Sequence, residues 1–191
     1  MTGRALRAGA LLALAISAQA LGAEWNVAQL FDMLSRSSPA KATFHERKYL
    51  ALLDRPLDST GELAFTPPDR LEKRTLEPKP ERLVAEGDVV TLERGGKRYS
   101  IALREQPAVA VLIESLRGTL AGNLLAVTRT FSVALEGSSQ GWRIVLRPLD
   151  PESSKLVTRI EVSGAQAQVR TVEIHQSDGD RSVMTITPVK P

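Results

Sequence analysis

From Ser59 to the C-terminus the apolar residues recur at every second position in one short run after another, and this rhythm is interrupted by a single block, between Pro107 and Val127, where the spacing becomes three and four. Alternation of this kind specifies strands with one face buried. The fold is therefore mainly β with helices, an antiparallel sheet carrying an apolar helical insert. The first meander reads as Leu63 and Phe65, then Leu71 to Leu76, Leu83 to Ala85, Val90 and Leu92, and Tyr99, Ile101 and Leu103. Pro67-Pro68 cannot lie within a central strand and marks a break. Gly95-Gly96 predicts a two-residue hairpin. Strands return at Phe131, Val133 and Leu135, at Trp142, Ile144 and Leu146, at Leu156 to Val162, at Val169 to Ile174 and at Val183 to Thr187. The apolar set slips from odd to even numbers between Val169 and Val172, which places a bulge near Arg170-Thr171. Nine to eleven strands of ordinary length result, each about five residues or longer.

Ahead of the sheet, Val27, Leu30, Phe31 and Leu34 share one face of an amphipathic helix within Glu24 to Ser37, ended by Ser37-Ser38-Pro39. From Ala42 the pattern loosens into a segment through Leu50 that reads as a long edge strand, broken by Asp54-Arg55-Pro56 and Asp58-Ser59. In the insert, Val109, Leu112, Ile113, Leu116, Leu120, Leu124 and Leu125 form one or two short apolar helices. Pro107 suits a first helical turn, and Gly118 and Gly122 read as breaks or hinges.

The N-terminus fixes the compartment. Arg4 and Arg7 precede a small and apolar run from Ala8 to Ala18 that closes in Ala18-Gln19-Ala20, the pattern of a secretory signal peptide. Cleavage after Ala20, with Ala23 as the alternative, leaves residues 21–191, 191 − 20 = 171 residues, as one domain in the periplasm. The chain has no cysteine, so no lipid anchor of the lipoprotein kind and no disulfide is available, and the core alone must stabilise the fold. Removing Arg4 and Arg7 takes the net charge from +3 to +1, with no block of like charge to bind nucleic acid.

Three motifs touch on chemistry. Gly137-Ser138-Ser139-Gln140-Gly141 fits the G-x-S-x-G nucleophile elbow, with Asp150 and His175 in the chain order of a hydrolase triad. That elbow needs a strand followed by a helix, whereas a strand follows here, so the segment reads as a hairpin loop and an esterase using Ser139 is the minor alternative. His45 and His175, the two histidines, alternate with charged neighbours and read as rim residues rather than metal ligands. Asp178-Gly179-Asp180 lacks the remaining positions of a calcium loop and reads as a turn. No cofactor is implied.

The order of elements, with Gly61-x-Leu63-x-Phe65-x-x-Pro68, Tyr49-Leu50-Ala51-Leu52-Leu53-Asp54, Pro68-Asp69-Arg70-Leu71-Glu72-Lys73, Glu86-Gly87-Asp88, Ser115-Leu116-Arg117-Gly118-Thr119-Leu120 and Asp178-Gly179-Asp180-Arg181-Ser182-Val183-Met184, resembles the LolA carriers of outer-membrane lipoproteins, and more closely a divergent LolA-like group. The resemblance implies a half-open, strongly curved antiparallel β-barrel covered by short helices. It also implies a monomeric, non-enzymatic carrier of acyl chains, those of lipoproteins or of another lipid, between an inner-membrane exporter and an outer-membrane acceptor. An accessory protein of such an exporter that carries nothing is a further alternative. LolA proteins commonly place an arginine before the proline corresponding to Pro68 to hold the helical lid shut, and here that position is Pro67. The expected cavity lining is Leu63, Phe65, Leu71, Val90, Leu92, Ile101 and Leu103 from the first meander, Phe131, Val133 and Leu135 from the second, and Leu112, Ile113 and Leu116 from the insert.

Overall fold

The computed structural model describes residues 25–37 and 40–189. The expected signal peptide and its cleavage point lie outside these residues. Helix α1, Val27–Ser35, begins at Asn26, whose side chain accepts from the Gln29 amide while the Gln29 side chain accepts from the Asn26 amide, both at 3.1 Å. This reciprocal cap satisfies two of the amides that a helix start leaves open. Its apolar face buries Leu30, Phe31 and Leu34.

Eleven strands follow in one antiparallel sheet: β1 Ala40–Tyr49, β2 Leu57–Thr66, β3 Arg70–Glu77, β4 Glu81–Glu86, β5 Val89–Arg94, β6 Lys97–Ala102, β7 Phe131–Ser138, β8 Gly141–Pro148, β9 Val157–Ala165, β10 Gln168–Gln176 and β11 Arg181–Pro188. Their spatial order is β6-β5-β4-β3-β2-β1-β11-β10-β9-β8-β7. The expected edge strand is thus wrong: β1 is the sixth of eleven, pairing β2 on one side and β11 on the other. Its charged outer positions disguise a strand whose Phe44 and Glu46 are both buried. Asp58-Ser59 does not break the chain either, since both lie within β2. The chain turns instead in residues 50–56.

Local signals account for the other joins. Arg94 pairs Lys97 across Gly95-Gly96, which take φ of +57° and +75°, values that glycine adopts without steric cost. The register between β9 and β10 shifts between Val169 and Thr171, leaving Arg170 as the extra residue of a bulge. Strand β9 starts at Val157 rather than Leu156, because Asp150 caps a short helix α4, Pro151–Ser154, that the alternation gave no reason to expect.

The insert folds as α2, Pro107–Leu120, and α3, Leu124–Thr130, entered through a single 3-10 turn at Leu103–Glu105. Gly122, at φ +63°, separates the two helices; a Cβ there would stand 2.3 Å from the Phe31 carbonyl oxygen, so only glycine lets α1 approach this turn. Gly118 is no break. It lies inside α2, where an added Cβ would stand 2.4 Å from Val127 Cγ2 of α3, and its bare backbone lets the two helices close on each other.

Helix α2 also sets the curvature. Ile113, with Val109 and Ala110, packs with Leu71, Leu83, Ala85 and Val90 from β3, β4 and β5. Its neighbours Val111 and Leu112 pack with Ile144, Leu146, Ile160, Val162 and Val172 from the other half of the sheet. Adjacent residues of one helix reach strands at opposite ends of the order because the sheet curls around the helix. The curl stops short of closure, as β6 and β7 are not paired with each other among the described residues. The result is a half-open antiparallel β-barrel covered by helices.

Candidate functional site, an apolar face beneath the helices

Residues directly opposite in an antiparallel ladder project from the same face, so the register can be followed across the sheet. One row runs Phe65–Leu71–Ala85–Val90–Ile101 and the next Leu63–Lys73–Leu83–Leu92–Tyr99. In the other half, Glu46 leads through Met184, Val172, Val162 and Ile144 to Leu135, and Ser182 through Ile174, Ile160 and Leu146 to Val133. All of these project from the face that the helices cover.

The expected lining residues that lie on strands therefore share one face of the sheet, and the whole expected set differs in access. Phe65, Val90, Leu103, Ile113 and Phe131 are fully buried and pack as core; Leu103 sits in the 3-10 turn beyond β6 rather than in the strand. Leu63, Leu71, Leu92, Ile101, Leu112, Leu116, Val133 and Leu135 are half-buried. The sequence reading passed over Leu83, Ile174, Met184 and Ile186, which are also half-buried on this face. Strand pairing would have found them: Met184 lies in the row of Leu135, Ile174 in that of Val133 and Leu83 in that of Leu63, and Ile186 follows Met184 at the next position of the same face.

The covered face is apolar except at its middle. Glu46 is 3% exposed, and its carboxylate accepts from Ser182 Oγ at 2.6 Å and Ser59 Oγ at 3.4 Å and is paired with the Lys73 ammonium. Lys48 Nζ stands 3.9 Å away, and Lys73 Nζ lies 4.8 Å from the centre of the Phe44 ring. Burial pushes the Glu46 carboxyl up, but Lys73, Lys48 and the Ser182 hydroxyl together hold it below the usual carboxylate range. Burial likewise pulls Lys73 down, and the facing Glu46 only partly offsets this.

The cover is fastened at its own arginine. Arg117 of α2 is 7% exposed, donates from Nε to the Asp69 carbonyl in the β2–β3 turn at 2.6 Å, and pairs Glu114 at 3.1 Å. Its Nη2 is buried without a partner. Pro67, two residues before Asp69, has no amide hydrogen or polar side chain to offer, so the bond between this turn and the helices comes from the helix side. Two clefts, one lined by Arg70, Arg82, Glu86 and Arg98 and one by Glu136, Trp142, Arg143 and Arg170, lie away from Glu46 and Lys73, the first on the opposite face of the sheet.

The triad geometry fails. Ser139 and Gln140 form the tip of the β7–β8 hairpin, next to the row Trp142–Gly164–Val169, while His175 lies six residues along β10 from Val169. At about 3.3 Å per residue the two are roughly 20 Å apart, far beyond the reach of a nucleophile and its base. Asp150 is occupied in capping α4. His45 pairs Asp58 at 2.9 Å and His175 pairs Glu173 at 2.7 Å. No group of three metal-ligating side chains is found among the described residues. Asp178-Gly179-Asp180 forms the β10–β11 turn, where Asp180 accepts from the Ala51 amide at 2.9 Å. No helix of the described residues is long and apolar enough to cross a membrane.

No curated protein matches the chain. Among solved structures, a LolA superfamily protein from Nitrosomonas europaea aligns with TM-score 0.46 and 8% identity, covering 86% of this chain and 92% of that one. The lipoprotein LppX of Mycobacterium tuberculosis aligns with TM-score 0.39 and 8% identity over 86% and 96%. MucB, solved in complex with MucA from Pseudomonas aeruginosa, aligns with TM-score 0.44 and 12% identity over 84% and 55%. Residues 15–187 match the family described as outer membrane lipoprotein carrier protein LolA-like. With that match running through the helices and every strand of the half-open barrel, the chain belongs to the LolA-like family.

Proposed function

We propose that this chain is a periplasmic carrier that shields the acyl chains of a lipoprotein or another amphipathic lipid between α2, α3 and the sheet, and moves them toward the outer membrane. The observation that supports the reading is the run of half-buried aliphatic side chains on the covered face of the sheet, Leu63, Leu71, Leu92, Ile101, Val133 and Leu135, beneath helices that bring half-buried Leu112 and Leu116. Sealing a methylene from water contributes about 0.8 kcal/mol, so about ten methylenes supply roughly 8 kcal/mol, the scale of a micromolar dissociation constant. Such a site needs shape and apolar surface rather than catalytic groups, and we read the protein as a binding module, not an enzyme.

In this reading the first 20 residues are a removed export signal, residues 21–191 act as one monomeric domain, and the Arg117 bond to the β2–β3 turn holds the cover down. An inner-membrane exporter is the donor and an outer-membrane protein the acceptor. Native mass spectrometry of protein purified from the periplasm is expected to show a co-purifying lipid, and the stripped protein is expected to bind a fluorescent fatty acid. Lipid-free spectra together with no fatty-acid binding would defeat the proposal.

A further inference from the structure

At the centre of the apolar face sits a charge cluster that an acyl chain does not use. Glu46 is almost wholly enclosed, and four side chains crowd its carboxylate: Ser182, Ser59, Lys73 and Lys48. A buried carboxylate needs a compensating charge, and one ammonium supplies it. Two are present, and Glu81, which also acts on Lys73, is matched by its own partner Arg94 at 3.1 Å, so the cluster carries a net charge of +1. The surplus is not enclosed like Glu46: the Lys73 side chain is 24% exposed and that of Lys48 is 50% exposed.

Lys73 is the member placed to meet a ligand. It lies opposite Leu63 on one side and Leu83 on the other, both half-buried on the covered face. An ammonium has three donors, and Glu46 is the partner that its hydrogen bonds show here. The Glu46 carboxylate and the Phe44 ring hold the Lys73 charge in place among aliphatic neighbours. A pair serving stability alone could be replaced by apolar residues at little cost, and it would not leave an excess cation facing the groove.

We propose that Lys73, assisted by Lys48, is a headgroup site that binds the anionic oxygens, carboxylate or phosphate, of an amphiphile whose chain lies in the groove beside Leu63, Leu83 and Leu92. This rests on the carrier reading above and narrows its cargo to anionic amphiphiles. Glu46 is a positioning residue: it keeps Lys73 charged and aimed, and it repels a head that approaches the carboxylate directly. Charge-assisted hydrogen bonds to such a head raise affinity by about tenfold or more over an uncharged head of the same chain length.

The test uses the stripped mature protein carrying the neutral apolar probe N-phenyl-1-naphthylamine, displaced by palmitate, hexadecyl phosphate, hexadecanol or inorganic phosphate. Palmitate and hexadecyl phosphate are expected to displace it at concentrations about tenfold or more below hexadecanol. Because Lys73→Met alone strands Glu46, the variant is Glu46→Gln/Lys48→Met/Lys73→Met, which removes the charges together. In it the anionic advantage should vanish while hexadecanol binds as before. Equal affinity for charged and uncharged heads in the parent, or an advantage that survives in the variant, overturns the headgroup site and leaves the carrier reading standing. Failure of the probe and of every amphiphile to bind overturns both. Inorganic phosphate is expected to leave palmitate binding unchanged; competition by phosphate alone would mean an anion site independent of lipid and would overturn the amphiphile assignment.

Discussion

Replacing Leu116 by glutamate separates a cover over a groove from a core helix. Leu116 is half-buried on α2 and packs against the larger apolar cluster, whereas Val111, on the same helix, is 4% exposed. Full burial of a leucine is worth about 1.5–3 kcal/mol, so giving up half of it costs about 1–1.5 kcal/mol. Glutamate is nearly as good a helix former as leucine, and a carboxylate at this half-buried position can still reach water, so the total stays about 1–2 kcal/mol. For a chain of this size each kcal/mol moves Tm by about 2–4 °C, which gives a fall of about 2–8 °C. Val111→Glu must instead enclose a charge, a cost of several kcal/mol that consumes much of the roughly 5–15 kcal/mol holding a domain together. Thermal unfolding followed by circular dichroism, with fluorescent fatty-acid titration of the folded protein, reads both quantities. Leu116→Glu is expected to fold and to bind fatty acid about tenfold more weakly, while Val111→Glu is expected not to fold. A Leu116→Glu protein that is unfolded at room temperature, or one that binds fatty acid as the parent does, would refute the reasoning.

Three further outcomes follow from the same contacts. Gly118→Ala gains about 1 kcal/mol of helix propensity but sets a methyl 2.4 Å from Val127 Cγ2, so denaturant unfolding should show a net loss of about 1 kcal/mol, and in a Val127→Ala background the same change should stabilise. Glu46, Glu72 and Glu161 are held below the usual carboxylate range, Glu46 by Lys73, Lys48 and Ser182 against its burial and the other two chiefly by Arg82 and Arg159. Folded values below the unfolded ones mean that their stabilisation is present above about pH 4.3 and is lost as the pH falls through the depressed values, so urea midpoints should fall steeply below pH 4, and a flat profile would contradict the pairing. Hydrogen exchange across residues 112–125 should be faster than in the paired strands and should slow when lipid is bound; protection equal to that of the strands and indifferent to lipid would make the helices static core.

Much of this architecture is legible in the chain. The Gly95-Gly96 turn, the slip at Arg170-Thr171 and the change of period at Pro107 each follow from backbone chemistry that a few residues determine. What escaped was decided by pairing at a distance. β1 looks like an edge because His45, Arg47 and Lys48 are polar, yet its place beside β11 is set by residues nearly 140 positions away, and no local pattern announces that. The Glu46–Lys73 pair was hidden for the same reason: each residue alone reads as a solvated charge, and only the β1–β2–β3 register brings them onto one inner face. Gly118 reads as a break by propensity, but the approach of Val127 overrides propensity and keeps the helix continuous. Alternation within strands placed the apolar residues on one face, whereas the separation of fully enclosed Phe65, Val90 and Phe131 from half-buried Leu63, Leu92 and Val133 depends on where the helices lie.

The central claim, that acyl chains bind between the helices and the inner face of the sheet, is tested most directly by photolabelling the stripped protein with a fatty acid bearing a diazirine along its chain and mapping the adducts by peptide mass spectrometry. Adducts are expected on peptides carrying Leu63, Leu92, Leu112, Leu116 and Val133, and excess unlabelled palmitate should suppress them. Labelling confined to residues of the outer face such as Val84 and Val89, or labelling that palmitate does not suppress, would contradict it.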